Sequence, residues 1–461
     1  MKDQISFEES SFRDPSGAVY YKNNKVYRLI NKIYKSDFDL FLSSGLKKTL
    51  EKKGLILKSK VHDEKDLKSS KIYKVLETQK IPFISYPYEW SFSQLRDAAL
   101  ITLDIQRIAL EHGMSLKDAS SYNVQFFHGK PVFIDLLSFE KYQDGKPWVA
   151  YRQFCQHFLA PLALIVHKDI RLSQILKVYI DGVPLDLASK LLPKKTWLNL
   201  SFLMHIHAHA KSQIRYADKA DRVKKYRGSI SKQALLQILD SLEKQIKKMK
   251  WHVGGTEWGD YYSFTNYTKK AFEYKKKLVA GFLKKISPKP ELVWDLGANT
   301  GEFSKISSDL GLFTVSFDID PLAVEKNYVR NKNSKNLLPL ILDLTNPTSG
   351  IGWSNTERKS MISRGPADCA IALALIHHLA ITNNIPFSNI AKFLSKITNN
   401  LIIEFVPKDD SNAKKLLILR EDVFPNYTKE DFEKDFSKYF KILNKKDVRG
   451  SKRILYLMKK I

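Results

Sequence analysis

The sequence predicts an α/β protein, with a mostly parallel C-terminal sheet flanked by helices and a mixed α+β domain before it. Three observations predict this. From residue 292 onward, short apolar runs alternate with helical segments. A glycine-bearing turn, Asp295-Leu296-Gly297-Ala298-Asn299-Thr300-Gly301, joins the first run to a helix. Asp295, Asp318 and Asp343 stand at the ends of three successive runs. Strands buried on both faces read as continuous apolar stretches, and their alternation with helices argues for parallel pairing.

The N-terminal part is read first. Pro15-Ser16-Gly17 is a turn, and Asn23-Asn24 separates the runs 18–21 and 26–30, so a β-hairpin or small sheet is expected. Residues 91–112 predict a helix, because Leu95, Ala98, Ile101, Ile105 and Ile108 recur three or four apart, Ser93 can cap the start and Gly113 ends the run. A second hairpin is expected over 122–135, turning at His128-Gly129-Lys130, and helices fill much of 148–225. Residues 230–250 form one amphipathic helix, an aromatic stretch follows at 251–267, and 268–286 is helical again.

In the C-terminal part, strands are expected at 292–294, 313–317, 338–342, 369–375 and 401–406. Helices are expected over 301–310, from Pro321 to about 329, after Pro386 and from Thr428 to about 440. Two closing strands, 440–443 and 454–458, flank Arg449-Gly450-Ser451 and suggest an antiparallel edge.

Composition bounds the chemistry. The chain has 461 residues, which favours more than one domain. Cys155 and Cys369 are its only cysteines, too few for a disulfide framework or a thiolate metal cluster. The first residues lack the apolar core of a secretory signal, and the longest apolar run, 158–166, falls short of a membrane span. A soluble cytoplasmic protein without a membrane partner is expected. The net charge of +27 favours anionic partners such as nucleic acid, although many of the lysines read as the solvated faces of helices.

Glycine at 297 and 301 lets the backbone approach a ligand at the carboxyl end of a parallel strand. Asp295 is placed to meet a cationic amino group. Asp318, 23 residues later, can accept from two ribose hydroxyls, and Asp343, followed by Leu344, can accept from an adenine amino group. The spacing G-x-N-x-G is neither the dinucleotide form nor a P-loop, which disfavours a pyrophosphate ligand.

On these residues, the segment from Asp295 to the C-terminus resembles a class I S-adenosylmethionine-dependent methyltransferase. The resemblance implies a Rossmann-like seven-stranded sheet with S-adenosyl-L-methionine as cofactor. It assigns Asp295, Gly297, Asn299 and Gly301 to the cofactor loop, Asp318 to the ribose, and Asp343 with Leu344 to the adenine edge. It implies methyl transfer to an oxygen or nitrogen of a small-molecule or carrier-bound acceptor. The alternatives are a bifunctional protein with a nucleotide-binding kinase-like domain and a nucleic-acid-modifying methyltransferase, although the loop after the fourth strand lacks the Asn/Asp-Pro-Pro-Tyr/Phe sequence of exocyclic-amine methylating enzymes. That loop reads Ile376-His377-His378-Leu379, and His377 and His378 are the candidate bases, while Glu404 either shapes the acceptor pocket or meets a buried partner. No metal is expected there. The loop 345–367, with Trp353, is long enough for a lid or binding element. Upstream, an aromatic among Trp258, Tyr261, Tyr262 and Tyr267, beside Lys269, is expected near the cofactor. The expected divisions are an N-terminal α+β domain at 1–228, a helical, cofactor-covering linker at 229–290 and the methyltransferase domain at 291–461.

The N-terminal half has a weaker resemblance. Asp118, Asn123 and Asp135 are spaced like the catalytic Asp, metal-binding Asn and second metal-binding Asp of a degenerate protein-kinase-like fold, which implies a Mg-ATP site. The motifs depart: Leu116-Lys117-Asp118 and Asp135-Leu136-Leu137 replace the family's triplets, and no glycine-rich phosphate loop is present. The other reading is a helical domain with a hairpin whose acidic residues form turns. His205, His207 and His209 share a side only on a strand, and a helix scatters them.

Overall fold

The computed structural model describes residues 5–62, 70–210, 229–251, 269–417 and 424–461. The chain divides into two compact units. Unit 1 holds Met1–His252 together with Ile351–Arg358, and unit 2 holds Val253–Gly350 and Lys359–Ile461.

In unit 1, β1 (Ser6–Phe7), β2 (Gly17–Lys22), β3 (Lys25–Asn31), β4 (Ser59–His62) and β5 (Ile72–Thr78) form an antiparallel sheet in the order β1-β2-β3-β5-β4. The expected hairpin is β2–β3. Asn23 and Asn24 both take positive φ at its tip, the geometry a two-residue hairpin turn requires. The helix Phe92–Glu111 starts where Ser91 accepts from the Gln94 amide while the Gln94 side chain accepts from the Ser91 amide. Its expected apolar face, Leu95, Ala98, Ile101, Ile105 and Ile108, is buried. The second expected hairpin is β7 (Val124–Phe127) with β8 (Lys130–Phe133), and β6 (Met114–Leu116) pairs with β9 (Phe139–Lys141). The histidine run lies in helical structure. His205 bonds the hydroxyls of Tyr151 and Ser241, and His207 those of Ser189 and Thr196, so both are hydrogen-bonded core side chains.

Unit 2 contains β10 (Leu292–Leu296), β11 (Phe313–Asp318), β12 (Leu337–Ile341), β13 (Ala367–Ala372), β14 (Thr398–Phe405), β15 (Phe440–Asp447) and β16 (Ile454–Lys460). They form one sheet in the order β12-β11-β10-β13-β14-β16-β15. All neighbours are parallel except the two pairs made by β16. The seven strands and antiparallel edge are therefore as the sequence indicated. Helices between them start at defined caps: Asp320 accepts from the Leu322 amide ahead of Pro321, and Thr428 accepts from the Asp431 amide. On one side of the sheet, Val279, Phe282 and Leu283 of the helix Lys269–Lys285 pack on Val293, Ile371, Ile402 and Leu455. Removing one such side chain to alanine typically costs about 2–5 kcal/mol, so this contact fixes the helix on the strands.

Two strands beside the site stop short of their expected ends. β12 stops at Ile341, which leaves Asp343 two residues beyond it. β13 stops at Ala372, because Ala374 takes φ +48° and breaks the extended run expected to reach 375. Among the described residues, no helix is long and apolar enough to cross a membrane.

Candidate active site

The turn after β10 is bent by three residues at positive φ: Gly297 at 72°, Asn299 at 50° and Gly301 at 83°. The amides of Gly297 and Ala298 both donate to the Phe317 carbonyl at 2.9 Å, which ties the turn to the end of β11. A Cβ on Gly301 would lie 2.4 Å from Nδ2 of Asn327, which itself donates to Ser316 on β11. Glycine is required there by both conformation and space.

The turn carries carboxylates away from water. Asp295 is almost wholly buried and accepts from the Ser304 hydroxyl at 2.6 Å. Burial pushes its carboxyl up to about 7, with Asp318 adding repulsion. Asp318 accepts from the Asn299 amide at 2.7 Å and the Asp320 amide at 2.8 Å. Burial raises it to about 6 against the pull of those amides. Asp343, half-buried, accepts from the amide and hydroxyl of Thr345.

These groups surround a cavity of about 360 Å³ within unit 2. Of the residues singled out from sequence, it is lined by Asp295, Gly297, Asn299, Asp318, Asp343, Leu344 and His378. Gly301 stands behind the turn at the start of the helix Glu302–Asp309. His377 is fully buried beneath His378, with ring centroids 4.2 Å apart, and neither of its ring nitrogens has a hydrogen-bond partner among the described residues. Burial lowers His378 to about 4, helped by the positive Arg453, and drives His377 well below its ordinary value. Both rings are neutral at neutral pH.

Glu404 lies inside β14 with no exposure. It accepts from Lys275 Nζ at 2.8 Å and from the Ala374 amide at 2.7 Å, with Arg453 3.6 Å away. Arg453 in turn makes a two-pronged pair with Asp410. The buried carboxylate thus holds the left-handed Ala374, which lines the cavity, and the ammonium of Lys275, which also lines it. Burial lowers Lys275, and Glu404 opposes that shift.

Lys275, Phe272, Phe303, Thr382 and Asn383 line the cavity and were not singled out from sequence. A signal for Lys275 existed. It falls on the stripe Phe272, Val279 and Phe282 of a lysine-rich helix, where a solvated lysine does not belong. The aromatics Trp258, Tyr261, Tyr262 and Tyr267 lie outside the described residues. Trp353 belongs to unit 1 and is 72% exposed.

In unit 1, the acidic set is engaged in local contacts. Asp118 accepts from the Ser120 amide, and burial raises its carboxyl. Asp135 takes Arg28 of β3 at 2.5 Å and the Ser138 hydroxyl, and Asn123 donates to Ser138 at 3.4 Å. Among the described residues, no group of three or more His, Cys, Asp or Glu side chains is placed to hold a metal ion.

The sheet order, the glycine turn and the strand-end carboxylates define the fold of unit 2 as that of the class I S-adenosylmethionine-dependent methyltransferases. Over nearly its whole length, the chain is 35% identical to the nodulation protein NoeA of Rhizobium meliloti strain 1021, across 458 residues that cover 97% of this chain and 94% of that protein. It belongs to the family of that protein. No protein-family model matches the chain. Among solved structures, the PH0226 protein from Pyrococcus horikoshii OT3 is 18% identical, with 45% of this chain and 100% of that one covered and a TM-score of 0.32. The magnesium protoporphyrin IX methyltransferase ChlM of Synechocystis PCC 6803, solved with bound S-adenosylmethionine, is 15% identical over 46% of this chain and 88% of its own, with a TM-score of 0.32.

Proposed function

We propose that this chain binds S-adenosylmethionine in the unit 2 cavity and transfers its methyl group to an oxygen or nitrogen of a small-molecule or carrier-bound acceptor. One observation carries the reading: the glycine turn, Asp318 and Asp343 converge on one cavity with His378 at its wall.

In this reading Asp295 and the turn 297–301 hold the methionine end, Asp318 accepts from the ribose hydroxyls, and Asp343 with Leu344 meets the adenine. Lys275 is the cation available to the methionine carboxylate, and Asp295 is the anion available to its ammonium. The cofactor supplies an electrophilic methyl group. The acceptor lone pair forms the new bond to the methyl carbon, the carbon–sulfur pair returns to sulfur, and the acceptor releases its proton. His378 is the wall residue suited to accept a hydrogen bond from the acceptor and orient that lone pair. Its low proton affinity makes it an orienting group first and a weak base second. Thr382 and Asn383 add neutral hydrogen-bonding groups to the same wall. His377 and Glu404 support the wall from behind, His377 by packing and Glu404 by holding Ala374 and Lys275.

Thermal unfolding with and without S-adenosylhomocysteine tests the reading. The melting temperature of unit 2 rises with ligand concentration if the ligand binds the folded state. No rise at millimolar ligand removes the proposal.

A further inference from the structure

Residues 351–358 lie between β12 and β13 in sequence, yet they are part of unit 1. Their chemistry explains why. The Glu357 side chain is 1% exposed and accepts three donors: Arg13 Nε at 2.6 Å, Arg13 Nη2 at 2.9 Å and the Trp353 amide at 2.9 Å. The segment folds back on itself to present that carboxylate, through a bridge between Ile351 and Arg358 and positive φ at Gly352, Ser354 and Asn355. A Cβ at Gly352 would sit 2.6 Å from the Glu357 carboxylate, so glycine makes room for the fold-back. The next residue, Arg358, lies over the Tyr122 ring with its guanidinium carbon 4.1 Å from the centroid.

The two anchors stand on different parts of unit 1. Arg13 is in the turn before β2, which is set by the Asp14 carboxylate accepting from the Ser16 amide and the Ser11 hydroxyl accepting from the Val19 amide. Tyr122 is in the short turn Ser121–Asn123 ahead of β7. Two further links tie the β2–β3 region to residues that flank the Tyr122 turn in sequence, Lys117 and Asp135. Lys117 Nζ donates to the Ser16 hydroxyl at 3.1 Å, and Arg28 pairs with Asp135.

We propose that unit 1 carries a seat for a peptide with a fold-back carboxylate followed by a guanidinium, and that its occupant is residues 351–358 of this chain. Seated there, the segment latches the turn before β2 to the turn that carries Tyr122. Both anchors use charge-assisted contacts with little freedom, a two-pronged guanidinium–carboxylate pair and a cation over a ring.

Hydrogen exchange on the intact chain tests this. Glu357→Gln and Arg13→Glu should each speed amide exchange about tenfold or more over 8–16 and 351–358, while the helix Phe92–Glu111 keeps its protection. The double variant Arg13→Glu/Glu357→Arg should restore protection over both stretches. Arg358→Met should loosen 121–124, which reads the second anchor without touching the first. Unchanged exchange over 8–16 in the single variants overturns the latch, and so does a double variant no better protected than the singles. If the single variants also lose protection in the Phe92–Glu111 helix, Arg358→Met decides: unchanged exchange over 121–124 then rejects it.

Discussion

Asp295→Asn is the most informative single change, because the cost of the native residue can be worked out. The wild-type carboxyl titrates at about 7 in the folded protein against 3.8 for an ordinary aspartate, mainly because burial penalises its charge. A folded-state value raised in this way stabilises the fold at low pH. The benefit is full below about pH 4 and is lost as pH climbs through 7. The total for such a shift is about 4 kcal/mol, of which about 2.5 kcal/mol falls between about pH 5 and pH 8.5. Asparagine keeps the shape and removes the ionisation, and its amide nitrogen or oxygen can still face Ser304. The variant should therefore lose less stability than wild type as pH rises over that window, by about 5 °C or more in melting temperature for a unit of this size. Asp318, raised to about 6, titrates in both proteins, so the difference reports Asp295 together with its repulsion from Asp318. The assay is thermal unfolding of both proteins at both pH values without ligand. Equal pH slopes would show that Asp295 is not forced to ionise in a dry site, and the argument for a preformed ammonium site would fall. A bound adenosyl ligand should shrink the wild-type slope, because its ammonium stabilises the carboxylate.

Further outcomes follow from the same geometry. Gly301→Ala places a Cβ against Asn327 in a left-handed conformation, so it should cost about 2–3 kcal/mol in denaturant unfolding or abolish adenosyl binding. Lys275→Met leaves Glu404 buried without its closest cation and should destabilise unit 2 by about 3–5 kcal/mol, whereas Lys275→Met/Glu404→Leu should recover much of that loss. His378→Ala should leave S-adenosylhomocysteine affinity within about threefold of wild type while lowering methyl transfer about a hundredfold once an acceptor is in hand. If the +27 charge serves a polyanion, RNA or DNA binding should fall steeply between about 50 and 200 mM salt, and salt-insensitive or absent binding rejects the nucleic-acid alternative.

Much of unit 2 was legible because its signals are local. Apolar runs buried on both faces marked the strands, and Pro321 and Thr428 marked helix starts within a turn of their true positions. The glycine turn and the carboxylates were legible because one bond geometry, the carboxyl end of a parallel strand, places them together. The network of Lys275, Glu404, Arg453 and Asp410 was not, because its members come from three separate stretches of the chain and only the folded sheet makes them neighbours. For Glu404 a buried partner was one of two readings, and Lys275 is that partner, although the sequence could not name it. From sequence it is a lone acid in a strand, and its two donors are 30 and 129 residues away. His377 and His378 were indistinguishable as neighbours in sequence, and the short helical stretch His378–Thr382 decides which ring reaches the wall. The 345–367 loop read as a lid or binding element by its length alone, and length says nothing about an anchor such as Arg13, more than three hundred residues earlier.

The central claim is that the turn 295–301 and the carboxylates of Asp318 and Asp343 form one adenosyl-binding site. Calorimetric titration of S-adenosylmethionine into wild type and Asp318→Ala addresses it directly. The account predicts one site per chain in wild type and an affinity roughly tenfold to a hundredfold weaker in the variant, the worth of hydrogen bonds to a charged acceptor. Equal affinities, or no heat of binding to the wild-type protein, would contradict it.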